Sequence, residues 1–412
     1  MPAVKLEKII SDSLSELRSS GRLKGPEDVI TGIIRGKDGK GPRYLIGGMG
    51  SREFIKMDSN SYLGLSLNEE VIRAGEETAA RFGAGPGSVR FIHGTYEPHR
   101  ELERKLALFH DREAAIIFSS AYSAVCGVIS QLISADTIVL SDELNHNSII
   151  NAARMSRPKD KKIYRHLDME DLKRKIEESI GLCRRLLIVT DGVFSMRGDY
   201  PDLKRLVKLS EDYDSEFDEG IITVMDDSHG TGAYGGTGRG TSEAAGEPGV
   251  DIIISTIGKA LGVNGGYAAG SAKIVEYLRE TSPFYVYSNP ITPGEAGAAL
   301  KSLEILDSDA GRELISRLKE TVGYFKKELE KTGYEVLEGA HPVVAVMIRD
   351  RSKTAGIVEY LRENGVLAVG LKHPVVPEGD ECIRLQVNAC HTRGDIDYVL
   401  AVMKEYKKSF LS

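Results

Sequence analysis

The stretch Ile221-Ile222-Thr223-Val224-Met225-Asp226-Asp227-Ser228-His229-Gly230-Thr231-Gly232 opens as an apolar run and breaks into two acids, a serine and a histidine before a glycine-rich turn. A short apolar run bounded by turn residues is the mark of a strand buried on both faces. The same grammar recurs at 114–118, followed by Ser119 and Ser120, at 137–140, followed by Asp142, at 186–189, followed by Asp191, and at 252–255. Helical periodicity fills the intervals 69–82, 99–110, 148–157, 172–179 and 203–213. Alternation of this kind predicts an α/β fold with a mostly parallel sheet covered by helices. Ligands in such sheets bind beyond the carboxyl ends of the strands, where these polar clusters stand.

Working outward, residues 61–293 are expected to form this large domain. Residues 294–412 predict a smaller α+β C-terminal domain, with helices at 294–306, 311–331, 352–364 and 395–410 and strands at 343–348, 366–369 and 383–387. Residues 1–60 predict an N-terminal arm and small-domain segment. Leu6, Ile9, Ile10, Leu14 and Leu17 make a helical stripe within 5–23, with Gly21 as a stop signal, and 53–57 is strand-like. The acidic residues 211–219 predict a solvated loop.

The whole chain has 412 residues, 41% hydrophobic and 28% charged, ample for a folded core. Its 54 basic and 61 acidic residues leave a net charge of -7, so no overall positive field exists to hold nucleic acid or an anionic membrane. No apolar run reaches the ~18 residues of a membrane span, and the N-terminus lacks the basic and apolar regions of a secretory leader. Cys126, Cys183, Cys382 and Cys390 include no CxxC pair, so neither a disulfide framework nor a metal site is expected. These features predict a cytoplasmic protein that is neither exported nor membrane-spanning.

Two segments carry chemistry. In Ser255-Thr256-Ile257-Gly258-Lys259-Ala260-Leu261-Gly262 a lysine leaves an apolar strand inside a glycine-containing turn. Desolvation there would lower its pKa and make it an amine nucleophile or Schiff-base former; a strand-end lysine turned to solvent is the alternative. In the Asp226 cluster a carboxylate could keep a pyridinium nitrogen protonated, as in enzymes that use pyridoxal 5'-phosphate. Asp226, Asp227 and His229 could instead hold a divalent metal, or a capping aspartate could stand beside a core histidine. Taken together, a strand-end acid and a strand-end lysine on one crevice favour pyridoxal phosphate over a metal.

Six stretches in order make the chain resemble the α-oxoamine synthase family of fold type I pyridoxal phosphate enzymes. They are Asn60-Ser61-Tyr62-Leu63-Gly64-Leu65, Ser88-Val89-Arg90-Phe91-Ile92-His93-Gly94-Thr95, Ser141-Asp142-Glu143-Leu144-Asn145-His146-Asn147-Ser148-Ile149, Thr190-Asp191-Gly192-Val193-Phe194-Ser195-Met196, the Asp226 cluster and the Lys259 turn. Within the family they read most like glycine C-acetyltransferases, also called 2-amino-3-ketobutyrate CoA ligases.

The resemblance implies a role for each matching residue. Lys259 would carry the cofactor as a Schiff base, Asp226 would face the pyridine nitrogen, and His146 would stack on the ring. His229 and Ser195 would lie near its phenolic oxygen. The phosphate would be held by Ser120, Ala121, Tyr122 and Thr256, with Ser288 and Asn289 reaching it from the other subunit of a homodimer. Arg384 would clamp the substrate carboxylate, with Asn60 near it. His99 also matches a family position.

The implied reaction condenses an amino acid, glycine by expectation, with an acyl-CoA, acetyl-CoA by expectation, to a 2-amino-3-oxo acid and CoA. The 8-amino-7-oxononanoate synthases and other decarboxylating members are the alternative; an aminotransferase or a non-catalytic subunit fits the motifs less well. Tyr96 and Glu97, Gly230-Thr231 and Pro290 depart from the acetyltransferase pattern, which leaves the acyl pocket open.

Overall fold

The computed structural model describes residues 3–20, 22–247, 249–373 and 375–411; Gly21, the expected stop of the first helix, lies outside them. At the centre is a seven-stranded sheet. Its strands are β1 (Ala114–Phe118), β2 (Thr137–Asp142), β3 (Asp160–Tyr164), β4 (Arg185–Asp191), β5 (Ile221–Asp226), β6 (Ile252–Thr256) and β7 (Gly266–Gly270), in the spatial order β1-β7-β6-β5-β4-β2-β3. β7 alone runs against its neighbours.

Successive side chains of a strand point to opposite faces, so continuous apolar runs demand two covers. Val139, Leu187, Val189 and Val224 pack with Ala124, Val125, Val128 and Ile129 of the helix Ala121–Leu132. Ile138, Leu140, Leu186 and Ile188 face the other way, onto Leu172, Ile176, Leu206 and Leu209 from the helices Met169–Glu177 and Leu203–Tyr213. Each fully buried side chain of this size contributes about 1.5–3 kcal/mol. The sheet is therefore a rigid platform, and the loops at its carboxyl edge inherit that rigidity.

Two four-stranded sheets flank the platform. In the first, Ile30–Ile34, Arg43–Ile46 and Glu53–Lys56 are joined by Val366–Leu367, which ties the N-terminal segment to the C-terminal region. The second has the order Glu335–Val336, Val343–Met347, Cys382–Gln386, Val369–Leu371. The single strand expected at 366–369 is thus two strands that serve different sheets. One apolar cluster runs from Tyr62, Leu63 and Leu102 to Val343, Ile383, Leu385 and Ile396, so large and small regions share a core. The first helix, Val4–Ser19, buries none of its residues.

The expectation of a solvated loop at 211–219 needs correction. The helix continues to Tyr213 and is followed by a 3-10 turn, Asp214–Glu216; Phe217 is buried and Asp214 Oδ1 accepts from Ile221 N at 2.8 Å. The acids are exposed, while Phe217, with Tyr213 packed beside it, anchors the segment to the core.

Candidate active site

Asp226 ends β5 in register with Asp191, which ends β4. The chain then turns sharply, and the neighbouring Asp227 swings away from the sheet edge. Its Oδ1 accepts from Thr241 Oγ1 at 2.6 Å and its Oδ2 from Thr241 N at 3.0 Å, while burial pushes its pKa up to about 7. Gly192 and Gly230 are required by this carboxylate, since a Cβ would lie 2.3 Å and 2.0 Å from Asp227 Oδ1. Asp227 is thus occupied with its own loop and does not join Asp226 and His229 around a metal. Among the described residues no group of three or more His, Cys, Asp or Glu is disposed to hold one.

The Lys259 turn follows β6. Thr256 Oγ1 donates to Gly265 O at 3.2 Å and accepts from Gly258 N at 3.0 Å, and Gly262 N returns to Lys259 O at 3.0 Å. Lys259 is half-buried. Burial pushes its ammonium down to about 8, against the opposing pull of Asp226 and Asp191. An amine in that range is available as a nucleophile or base near neutrality.

His146 is placed by Asn145. That amide donates to Ser141 Oγ and Val189 O at 2.9 and 2.8 Å and accepts from Asp191 N at 2.9 Å, clamping the loop to β4. His146 N then donates to Asp191 Oδ2 at 3.0 Å, and its Nδ1 accepts from Ser148 N at 3.2 Å. Burial lowers the His146 pKa, with Lys259 adding to the effect and Asp226 opposing it. Burial and the Asp226 charge hold Asp191 well above the usual carboxylate range.

Ser120 caps the helix Ala121–Leu132 by accepting from Ser123 N at 3.1 Å, and so directs the first-turn amides to the same edge. Gly266 makes room for that helix start, because a Cβ there would lie 2.4 Å from Ala121 N.

These elements enclose a small recess of about 50 Å³, lined by seven of the expected residues: Ala121, Tyr122, His146, Ser195, Asp226, His229 and Lys259. Ser120 and Thr256 stand behind the wall and shape it through the bonds above. Ser288 and Asn289 do not line it within this chain; Ser288 Oγ lies 3.5 Å from Ser119 Oγ and Asn289 is exposed.

Arg384 occupies an inner strand of the C-terminal sheet, not an edge. Its Nη1 donates to Ser195 O at 3.0 Å, at the wall of the recess, and its buried Nε has no partner among the described residues. Asn60 is held by Gln386, two residues along the same strand. His99, by contrast, caps its own helix: Nδ1 accepts from Tyr96 N at 3.0 Å and Nε2 is 2.8 Å from Ile291 O. Asp142 is likewise spent away from the recess, on His166 and two backbone amides.

Asp191, Ser148, Val193 and Ser228 also line the recess, although the sequence marked them only as parts of motifs. Tyr62 and His341 meet His229 from 167 and 112 residues away in sequence. For His341 no local signal existed.

The chemistry of the donor set fits pyridoxal phosphate. An anion-favouring helix start, a lysine of lowered pKa and a carboxylate share one recess, and the buried Ser228 Oγ there has no partner among the described residues. Comparisons agree. The profile of the family described as "Aminotransferase class I and II" matches residues 52–403. A mitochondrial 2-amino-3-ketobutyrate coenzyme A ligase of Bos taurus is 39% identical over 396 residues, 95% of this chain and 90% of that protein. An 8-amino-7-oxononanoate synthase 1 of Bacillus velezensis is 39% identical over 355 residues, covering 86% and 88%. The structure of a Sphingomonas wittichii serine palmitoyltransferase superposes with a TM-score of 0.87 at 26% identity, covering 99% of this chain and 98% of that one. The solved S. paucimobilis serine palmitoyltransferase, also 26% identical, is described with bound PLP.

The chain therefore belongs to the class I and II aminotransferase family, with the fold of type I pyridoxal phosphate enzymes. Within that family it is an α-oxoamine synthase, a pyridoxal phosphate-dependent acyltransferase. Among the described residues no helix is long and apolar enough to cross a membrane.

Proposed function

We propose that this enzyme joins glycine to acetyl-CoA, giving a 2-amino-3-oxo acid and CoA. The observation that carries the reading is Arg384, whose guanidinium reaches the Ser195 wall of the recess while its Nε has no partner among the described residues. A planar cation with a free donor edge is suited to a carboxylate.

When bound, pyridoxal phosphate supplies an electrophilic aldehyde and a ring that withdraws electrons from the substrate's Cα. The chain's own residues do the rest. Lys259, with its pKa near 8, gives up a proton easily and can take one from the Cα and return it. Asp226 would supply a carboxylate to the ring nitrogen, Ala121 and Tyr122 would offer first-turn amides to the phosphate, and His146 would cover the ring and exclude water. Arg384 and Asn60 orient the amino acid.

The Bos taurus relative and the SVRFxxGT and DGVFSM segments support the short acyl donor. The equal identity to the Bacillus velezensis protein favours a second reading, condensation with a longer acyl thioester and loss of CO2. Ser288 and Asn289 lie outside the recess of their own chain, which supports a homodimer that completes each site from the partner. Four free cysteines fit a reducing, cytoplasmic location.

Thiol release measured over a grid of amino acids and acyl-CoAs, with product masses, tests the proposal. Fastest release with glycine and acetyl-CoA and a product that keeps its carboxylate is expected. Preference for a long acyl chain and a product lighter by CO2 overturns it.

A further inference from the structure

His229 is gripped from two sides by residues that no motif connects to it. Tyr62, fully buried, places its hydroxyl 2.7 Å from His229 Nδ1. The other acceptor within that hydroxyl's reach, Asn60 Oδ1, is 3.4 Å away, so the histidine is the better partner. Burial holds the Tyr62 hydroxyl well above its ordinary pKa, against the smaller opposing effects of Arg384 and Gln386, so the phenol keeps a proton to donate to His229.

On the other side His341 holds the backbone. Its Nδ1 accepts from Val343 N at 3.1 Å, so in the neutral ring the proton sits on Nε2, which donates to His229 O at 2.8 Å. The His341 ring then packs edge-on against Tyr62, with centroids 5.3 Å apart and planes at 80°. Both histidines are kept neutral, first of all by burial; His341 is pushed down to about 3.

We infer that Tyr62 and His341 are positioning residues that lock His229 in a single tautomer, Nδ1 bare and Nε2 protonated, so that a fixed N–H donor faces the cofactor recess. A neutral imidazole left alone divides its proton between the two nitrogens. The Tyr62 hydroxyl removes that freedom by donating to Nδ1. His341 holds the carbonyl of the same residue, so the ring cannot retreat from the tyrosine. The result is a donor that meets an oxyanion on the cofactor with no rearrangement.

The inference rests on His229 facing the cofactor, but its test does not depend on substrate identity. In the full-length cofactor-free protein labelled with 15N-histidine, long-range proton–nitrogen spectra report the tautomer of each ring. His229, assigned by loss of its signal in His229→Gln, is expected as the Nε2–H form. In Tyr62→Phe its two nitrogens are expected to move toward averaged shifts. The cofactor-loaded variant is expected to lose about tenfold in kcat, with KM for the amino acid within about twofold. An Nδ1–H tautomer in the unsubstituted protein overturns the inference, and so does a Tyr62→Phe spectrum identical to it. Should Tyr62→Phe fail to fold, the spectrum of the unsubstituted protein decides alone.

Discussion

Asp191 and Asp226 stand side by side, in register, at the carboxyl ends of two neighbouring parallel strands. Two carboxyl groups so placed resist double ionisation, and Asp191 is the member held well above the usual range, by burial first and then by the Asp226 charge. Asparagine mimics a protonated aspartate. Asp191→Asn is therefore expected to keep turnover within about threefold, whereas Asp226→Asn loses at least about a hundredfold with folding intact. A raised carboxyl pKa contributes stability below the unfolded value of 3.8 that is lost as pH rises through the folded value. At pH 7 Asp191→Asn is thus expected to unfold at no lower urea concentration than the parent. Equal activity losses in the two variants contradict this division of roles.

Glu103 carries a different kind of burden. It is buried and accepts from Arg90 Nη2 at 3.1 Å and Arg279 Nη2 at 2.7 Å, with Ile117 N at 3.3 Å. Arg90 belongs to the SVRFxxGT motif, yet its side chain serves this ion cluster. Removing the acid strands a buried guanidinium, so Glu103→Gln is expected to cost about 3–5 kcal/mol of stability. Urea unfolding checks it, and a loss under about 1 kcal/mol speaks against the cluster's importance.

How far the sequence spoke depends on burial and chain distance. The strands from Ala114 to Phe118 and from Ile221 onward were legible because both of their faces are covered and the residues are mostly apolar. Asp160–Tyr164 was not, because an edge strand carries charges on its open side. Gly266–Gly270, Gly-Tyr-Ala-Ala-Gly, has little strand preference and is imposed by the two strands it pairs with. Lys259, Asp226 and His146 each sit beside a local landmark. Tyr62 and His341 become neighbours of His229 only through tertiary packing, which a linear pattern does not encode.

His166 predicts a pH-dependent stability. Burial alone would lower its pKa, but hydrogen bonds to Asp142 Oδ1 at 2.9 Å and Asp199 Oδ2 at 3.2 Å, with the charges behind them, push it up to about 9. The protonated ring therefore stabilises the fold fully below about 6.5 and loses that contribution as pH rises to about 9. The effect is up to about 3 kcal/mol. Urea midpoints of the parent are expected to fall across this window and those of His166→Asn to stay nearly level. Parallel curves for the two contradict the assignment.

Arg384→Ala removes the guanidinium beside Ser195. KM for the amino acid is expected to rise at least about tenfold, with KM for the thioester within about twofold. Steady-state kinetics with each substrate varied in turn checks this, and an unchanged amino acid KM places the carboxylate elsewhere.

The most direct test of the whole account is chemical. Borohydride reduction of the cofactor-loaded protein, followed by peptide mass mapping, reports which amine holds the aldehyde. The prediction is one pyridoxyl phosphate adduct on the peptide that contains Lys259, absent together with the visible absorbance in Lys259→Ala. An adduct on another lysine, or none at all, contradicts the account at its root.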